Sequence, residues 1–294
     1  MARSGFLGVE ALDIKTAIIP AAGLGTRMLP FSKEVPKEML PLVIRRGREI
    51  LVVPALHYIF DALFRAGIRK FYFVVGRGKR VIEDYFTPDK GFVEYLESKG
   101  KHRLAEILDD FYEKLSMCDV LMVNQPEPRG FGDAVLRTEP FMIDDVFIVH
   151  AGDDIIYPDH AREIIRLIEH YEKYSPKALF LYDTSQHPER YGVIIGDYKQ
   201  GYLEVYDIIE KPSKPSSNNV VVAVYIFDKD IYDALTHTKP IDGEHQLTDA
   251  IKYLLKKGET VHALKVTDKR LDLGTPDNYL EALRYIVGNI GGKD

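Results

Sequence analysis

Three stretches of this 294-residue chain carry residue types suited to binding and reacting phosphate esters. The first is Pro20-Ala21-Ala22-Gly23-Leu24-Gly25-Thr26-Arg27, whose glycines let backbone N–H groups approach a phosphate. It is not a Walker P-loop, because no Gly-Lys-Ser/Thr follows at the required spacing. Nor is it a dinucleotide fingerprint, because Met28 stands where the third glycine belongs. Arg27, Lys33 and Lys37 place three cations within about a dozen residues, which suits a triphosphate; the plainer alternative is a tight turn beside a solvated charged loop. The second stretch is Gly152-Asp153-Asp154 after an apolar run, with Asp272 of Arg270-Leu271-Asp272-Leu273-Gly274 as a distant partner. Carboxylates at strand ends can hold a hard cation, for which magnesium fits best, or can act as turn and cap residues. The third is Glu210-Lys211-Pro212, where a carboxylate could accept from sugar hydroxyls beside a lysine that neutralises a phosphate; the alternative is an exposed charged strand end. Nucleophilic catalysis finds little support, since no Gly-x-Ser-x-Gly elbow occurs and the lone Cys118 lies in an apolar strand approach; the nine His show no metal-ligand spacing on a helix.

The elements that must position these residues alternate in type. Residues 15–20 form an apolar strand candidate ending at the glycine turn, residues 54–66 have helical spacing, and residues 70–75 are a β-branched and aromatic strand. The rhythm continues with a strand over 120–124, a helix from near Gly132, a strand over 146–149 and an amphipathic helix over about 160–171. Beyond about residue 177 strand candidates follow one another, at 178–182, 193–196, 203–209 and 220–227, with a loop over 211–219 and a last helix from near Pro276. This pattern predicts an α/β fold: one Rossmann-like domain over 1–294 with a mixed, mostly parallel sheet flanked by helices. Two lobes would divide it, one over about 14–175 and one over about 176–294, with the first dozen residues a loosely held terminus.

Composition narrows the function classes. With 39 Lys+Arg against 45 Asp+Glu the net charge is −6, which argues against a general nucleic-acid or anionic-membrane binder. A single cysteine, Cys118, excludes an internal disulfide and fits a reducing compartment. The longest clean apolar run, 220–227, is too short to span a bilayer, and no leader pattern opens the chain, so a cytoplasmic protein is expected.

Together these segments resemble the sugar-1-phosphate nucleotidyltransferase family from about Lys15 to about Tyr285. The likeness includes residues 20–27, Pro36-Lys37-Glu38-Met39-Leu40-Pro41, Gly76-Arg77-Gly78-Lys79-Arg80 and Gln125-Pro126-Glu127-Pro128 with Gly130. It continues through Gly152-Asp153-Asp154, Arg190-Tyr191-Gly192-Val193, Glu210-Lys211-Pro212 and Gln246-Leu247-Thr248-Asp249-Ala250. The second and third segments look more like the uridylyl branch than the thymidylyl branch. The chain differs in a longer stretch over 43–53 and in Ala223, where the family commonly has Gly.

The resemblance implies a nucleotidyltransferase that moves a uridylyl group from UTP to glucose 1-phosphate, giving UDP-glucose and pyrophosphate, with Mg²⁺. By the same likeness Ala22, Gly23, Gly25, Thr26 and Arg27 would hold nucleotide phosphates and Lys37 would meet the triphosphate. Gln125 and Gly130 would contact the base with Glu38 nearby, and Asp153 and Asp272 would coordinate Mg²⁺. Gly192 and Glu210 would contact the sugar, and Lys211 would hold its phosphate. Arg27, Lys37, Asp153 and Lys211 would be the catalytic set, in a homo-oligomer, dimer or tetramer, without nucleic-acid or membrane partners. Three rivals stand beside this reading: thymidylyl or dual-nucleotide transfer, a nucleotide-sugar glycosyltransferase, and a catalytically silent regulatory subunit that binds nucleotide sugar.

Overall fold

The computed structural model describes residues 14–290, and the expectation for the first dozen residues lies outside that range. In chain order the strands are β1 (Thr16–Pro20), β2 (Pro41–Arg46), β3 (Glu49–Pro54), β4 (Lys70–Val75), β5 (Asp119–Asn124), β6 (Val146–His150) and β7 (Asp154–Tyr157). They continue with β8 (Ala178–Thr184), β9 (Gly192–Tyr198), β10 (Leu203–Glu210), β11 (Asn219–Asp228), β12 (Val261–Lys265) and β13 (Lys269–Asp272). The helices are α1 (Ala55–Arg65), α2 (Arg80–Tyr85), α3 (Lys90–Ser98), α4 (His102–Ser116), α5 (Phe131–Leu136), α6 (His160–Tyr174), α7 (Asp230–His237), α8 (Leu247–Lys256) and α9 (Pro276–Ile290).

Nine of the strands form one mixed sheet in the order β5-β4-β1-β6-β11-β8-β12-β10-β9. Pairing is parallel through β5, β4, β1 and β6 and again between β8 and β12, and antiparallel at the remaining junctions. The parallel character therefore belongs mainly to the first half. Helical crossovers allow it there, whereas the consecutive strands of the second half turn back on themselves.

Both faces of the sheet are covered, so its central strands read as continuous apolar runs rather than alternations. Ala17 and Ile19 of β1, with Phe71 and Phe73 of β4, enter one core; Ile18, Tyr72 and Val74 enter the other. Helix α1 carries its apolar stripe at Leu56, Ile59, Phe60 and Leu63, all fully buried, which matches the helical spacing of the sequence.

Several features lie outside the expected alternation, among them α7, α8 and β12. Residues 43–53 belong to the β2–β3 hairpin, closed by a two-residue turn in which Gly47 takes φ +60. Arg45 Nε donates to Ile290 O at 2.9 Å and Tyr279 OH to Pro41 O at 2.8 Å, so α9 supports the hairpin. Helices α2, α3 and α4 fill the span between β4 and β5. A second small sheet pairs β7 with β13, and its register sets Asp154 against Asp272 across more than a hundred residues of chain.

Candidate active site

β1 ends at Pro20, and Ala21 N donates to Val74 O at 2.8 Å, which sends the next residues across the carboxyl end of the sheet. Gly25 sits at φ +63, a region costly for any residue with a Cβ, and its carbonyl accepts from Ser32 Oγ at 2.6 Å. That turn opens a short 3₁₀ segment, Thr26–Met28, which carries Arg27. Gly23 is exposed, with nothing within 4 Å of where a side chain would begin, so its backbone is open to a ligand.

Lys37 and Glu38 lie on a later 3₁₀ turn, Lys37–Met39. Lys37 Nζ is paired with Asp153 Oδ2. Burial opposes the charge on Lys37, yet Asp153 and Glu38 raise its pKa above the ordinary lysine value. Burial likewise works against the Asp153 carboxylate, but Lys37, Arg27 and Arg270 together hold its pKa below the usual aspartate value. Glu38 is buried beneath the Gly152 turn, and its Oε2 accepts from Lys79 Nζ at 3.2 Å. Burial raises the Glu38 pKa in spite of Lys37 and Lys79.

Leu273 N donates to Asp153 O at 3.0 Å, continuing the β7–β13 pairing and bringing the second acidic residue into place. Asp272 Oδ1 accepts from Gly274 N at 2.8 Å, while Oδ2 accepts from Tyr191 OH at 3.0 Å and Asn278 Nδ2 at 3.1 Å. A Cβ placed on Gly274 would stand 2.9 Å from Asp272 Oδ1, 3.0 Å from Arg27 Nη2 and 3.6 Å from Asp153 Oδ2. Two carboxylates and a guanidinium therefore surround one cradle that only a glycine leaves open.

Asp154 serves a different end. Both of its oxygens are within 3.1 Å of Arg270, and Oδ2 also accepts from Ala223 N at 3.3 Å. Burial opposes the Arg270 charge, but Asp154 and Asp272 raise its pKa, and its guanidinium lies 4.7 Å from the centre of the Tyr191 ring. Of the two adjacent acids, Asp154 is committed to this internal pair and Asp153 faces Lys37 and the Gly274 cradle.

Gln125 follows β5 and is nearly fully buried; its Nε2 donates to Asp133 Oδ2 at 2.7 Å and to Gly130 O at 3.1 Å. With both amide hydrogens used, its carbonyl oxygen remains to accept. Gly130, at φ +97, presses on the backbone of His245, where a Cβ would come within 2.6 Å of the carbonyl. On the far side of the sheet, Gly192 opens β9 opposite Glu210 at the end of β10. Lys211 adopts φ +39, donates its N–H to Tyr191 O at 3.0 Å and sets Nζ 3.2 Å from Glu210 Oε1.

A cleft of about 830 Å³ unites these groups. Ala22, Gly23, Gly25, Thr26, Arg27, Lys37, Glu38, Gln125, Gly130, Asp153, Gly192, Glu210, Lys211 and Asp272 all line it, from both halves of the chain. Lys33, counted with the cations of the first loop, does not; it is paired with Glu34 on the surface. Lys79, Tyr191, Thr248 and Arg270 stand within the segments quoted from the sequence, which gave them no role of their own. Arg270 had a signal, because on a strand it shares a face with Asp272 two residues on.

A mixed α/β sheet with a glycine turn, cations and paired carboxylates gathered over its strand ends defines a nucleotide-handling transferase, and a family match gives the class. The sequence profile of the nucleotidyl transferase family matches residues 16–288, and the chain belongs to that family. Among its relatives, UTP–glucose-1-phosphate uridylyltransferase 2 of Staphylococcus saprophyticus is 37% identical over 266 residues, spanning 89% of this chain and 88% of its own. A solved structure of UDP-glucose pyrophosphorylase complexed with UDP-glucose superposes with a TM-score of 0.79 at 31% identity, covering 94% of this chain and 99% of that one. The UTP-bound UDP-glucose pyrophosphorylase of Acinetobacter baumannii gives a TM-score of 0.81 at 30% identity, covering 95% of each chain.

Proposed function

We propose that this chain transfers the uridylyl group of UTP to glucose 1-phosphate, forming UDP-glucose and releasing pyrophosphate. The observation that carries the reading is the convergence of all fourteen expected residues on one cleft, together with relatives of that name along most of the chain. In this reading the lobe over 14–175 takes the nucleotide and the lobe over 176–294 takes the sugar.

The turn over Ala22, Gly23, Gly25 and Thr26, with Arg27, receives the nucleotide phosphates, and Lys37 meets the triphosphate. Gln125 offers its free carbonyl oxygen to the base beside Gly130, while Glu38, already held by Lys79, acts from below by supporting Lys37. Gly192 and Glu210 take the sugar and Lys211 its phosphate. A phosphate oxygen of glucose 1-phosphate attacks the α-phosphorus of UTP, and the bond to the β-phosphate oxygen breaks as pyrophosphate leaves. The attacking monoester, with a second pKa of about 6, is mostly dianionic near neutrality and needs no general base. The barrier is repulsion between anions, so Arg27, Lys37 and Lys211 contribute by neutralising charge and aligning the reactants.

Asp153 and Asp272 are the residues suited to hold Mg²⁺. They supply hard oxygen donors around the Gly274 cradle, and among the described residues no group of three or more His, Cys, Asp or Glu forms a closed metal cage. An ion there would share its remaining positions with phosphate oxygens and water, and when bound would neutralise charge on the nucleotide phosphates.

No helix among the described residues is long and apolar enough to cross a membrane. A cytoplasmic homo-oligomer, dimer or tetramer, completes the proposal; sedimentation of the purified chain as a monomer would contradict that part. The reaction is tested by pyrophosphate release with Mg²⁺ and glucose 1-phosphate, comparing UTP with dTTP. Sugar-dependent release that is faster with UTP and abolished by EDTA is expected, whereas equal rates would make this a dual-nucleotide enzyme. Nucleotide-sugar binding without turnover would favour the silent regulatory subunit.

A further inference from the structure

We infer that Thr248 is a positioning residue for sugar recognition, holding Glu210 in the one orientation from which its carboxylate can meet a sugar hydroxyl. The inference rests on the proposed role of Glu210 and adds a residue to which no role has been given.

Thr248 lies in the first turn of α8 and is 5% exposed. Its hydroxyl donates to Glu210 Oε2 at 3.1 Å, while Lys211 Nζ stands 3.2 Å from Oε1. A carboxylate has about four acceptor positions, so this clamp from two sides orients the group and leaves acceptor capacity for a ligand in the cleft. The clamp is itself fixed. The Thr248 methyl packs on Gly192, where a Cβ would come within 2.9 Å of it and within 3.3 Å of Glu210 Oε2. With the methyl seated against Gly192, the β-branched side chain has few rotamers left, and in this one its hydroxyl stands at Glu210 Oε2. The bare Cα of Gly192 is what admits both groups.

The helix start is also tethered to the opposite wall. His245 N donates to Arg129 O at 2.8 Å, and Gly132 N donates to His245 O at 2.8 Å, beside Gly130. One short segment thus runs from the base side of the cleft to the carboxylate on the sugar side, with Thr248 at its end.

Steady-state kinetics of the full chain with UTP and glucose 1-phosphate test this. Thr248→Val keeps the shape and removes the donor. Losing a hydrogen bond to a charged group is expected to raise KM for glucose 1-phosphate about tenfold, with kcat and the KM for UTP within about twofold of wild type. Thr248→Ser, which retains the hydroxyl, should stay within about threefold for both substrates. Should valine disturb the fold, Thr248→Ala and Thr248→Ser make the same comparison, since they differ only in the hydroxyl. Equal sugar KM values in that pair, or KM values for both substrates rising together as Tm falls, would overturn the positioning role. Wild-type chain without sugar-dependent turnover would overturn the proposed reaction and this inference with it. Wild-type turnover with an unaltered Thr248→Val would overturn this inference alone.

Discussion

Replacing Gly274 with alanine probes the carboxylate cradle without touching any charge. The glycine has no left-handed φ that would penalise alanine, so the backbone tolerates the change, and restricting the unfolded chain offsets it by about 0.4–1 kcal/mol. The added methyl, however, would stand 2.9 Å from Asp272 Oδ1, 3.0 Å from Arg27 Nη2 and 3.6 Å from Asp153 Oδ2. Arg27 can swing aside, being exposed, whereas Asp272 is pinned by Tyr191, Asn278 and the Gly274 N–H. Magnesium needs oxygen donors at about 2.0–2.1 Å, which a carbon at that point prevents. Loss of one charge-stabilising group in a preorganised site costs about 10²–10³ in rate, so kcat/KM should fall at least about 100-fold, near 2.7 kcal/mol. The assay is pyrophosphate release over a Mg²⁺ series, paired with Mn²⁺ binding by electron paramagnetic resonance and with a thermal melt. A folded Gly274→Ala chain with wild-type turnover and wild-type Mn²⁺ affinity would refute the cradle as the metal position.

Other expectations follow from single contacts. Lys211→Ala should raise the KM for glucose 1-phosphate by about tenfold or more while sparing the KM for UTP, because its ammonium stands on the sugar side beside Glu210; equal effects on both substrates would contradict the assignment. Asp153→Asn should abolish turnover in a chain that still folds; near-normal activity would remove Asp153 from the metal site. Acid stability should report a buried histidine pair: His150 Nε2 and His160 Nε2 lie 2.7 Å apart, and His160 Nδ1 accepts from Ile156 N. Burial lowers His150 to about 4 and His160 well below its usual value, while the unfolded chain takes up these protons near pH 6.5. The pair's contribution is therefore intact above about pH 6.5 and is lost as pH falls from there towards 4, on the order of 3 kcal/mol for His150. Urea unfolding at pH 7 and pH 5 measures it, and a wild-type slope no steeper than that of His160→Gln would contradict it.

The parts of the site that repeat a local chemical pattern are legible in the sequence itself. The glycine turn, the Gly-Asp-Asp step and the Glu-Lys-Pro end each announce themselves within a few residues, and all fall on one cleft. What separates Asp153 from Asp154 could not be read locally. Adjacent residues at the start of a strand point oppositely, and which one meets Arg270 depends on the pairing of β7 with β13. Thr248 is hidden for the same reason, because Glu210 and Gly192 reach it only through the sheet. The 43–53 hairpin escaped because Gly47-Arg48 lacks the Asn-Gly or Asp-Gly signal that marks such turns most strongly. Helix α4 did carry a readable stripe, with Ala105, Phe111, Tyr112 and Leu115 buried at helical spacing.

The most direct test follows the phosphorus atoms. Wild-type chain given glucose 1-phosphate and Mg²⁺ with either [α-³²P]UTP or [γ-³²P]UTP should place the α label in UDP-glucose and the γ label in pyrophosphate, with no labelled product when the sugar phosphate is withheld. Label from the γ position in a sugar product, or labelled inorganic phosphate formed without the sugar, would mean that attack is not at the α-phosphorus and would contradict the account.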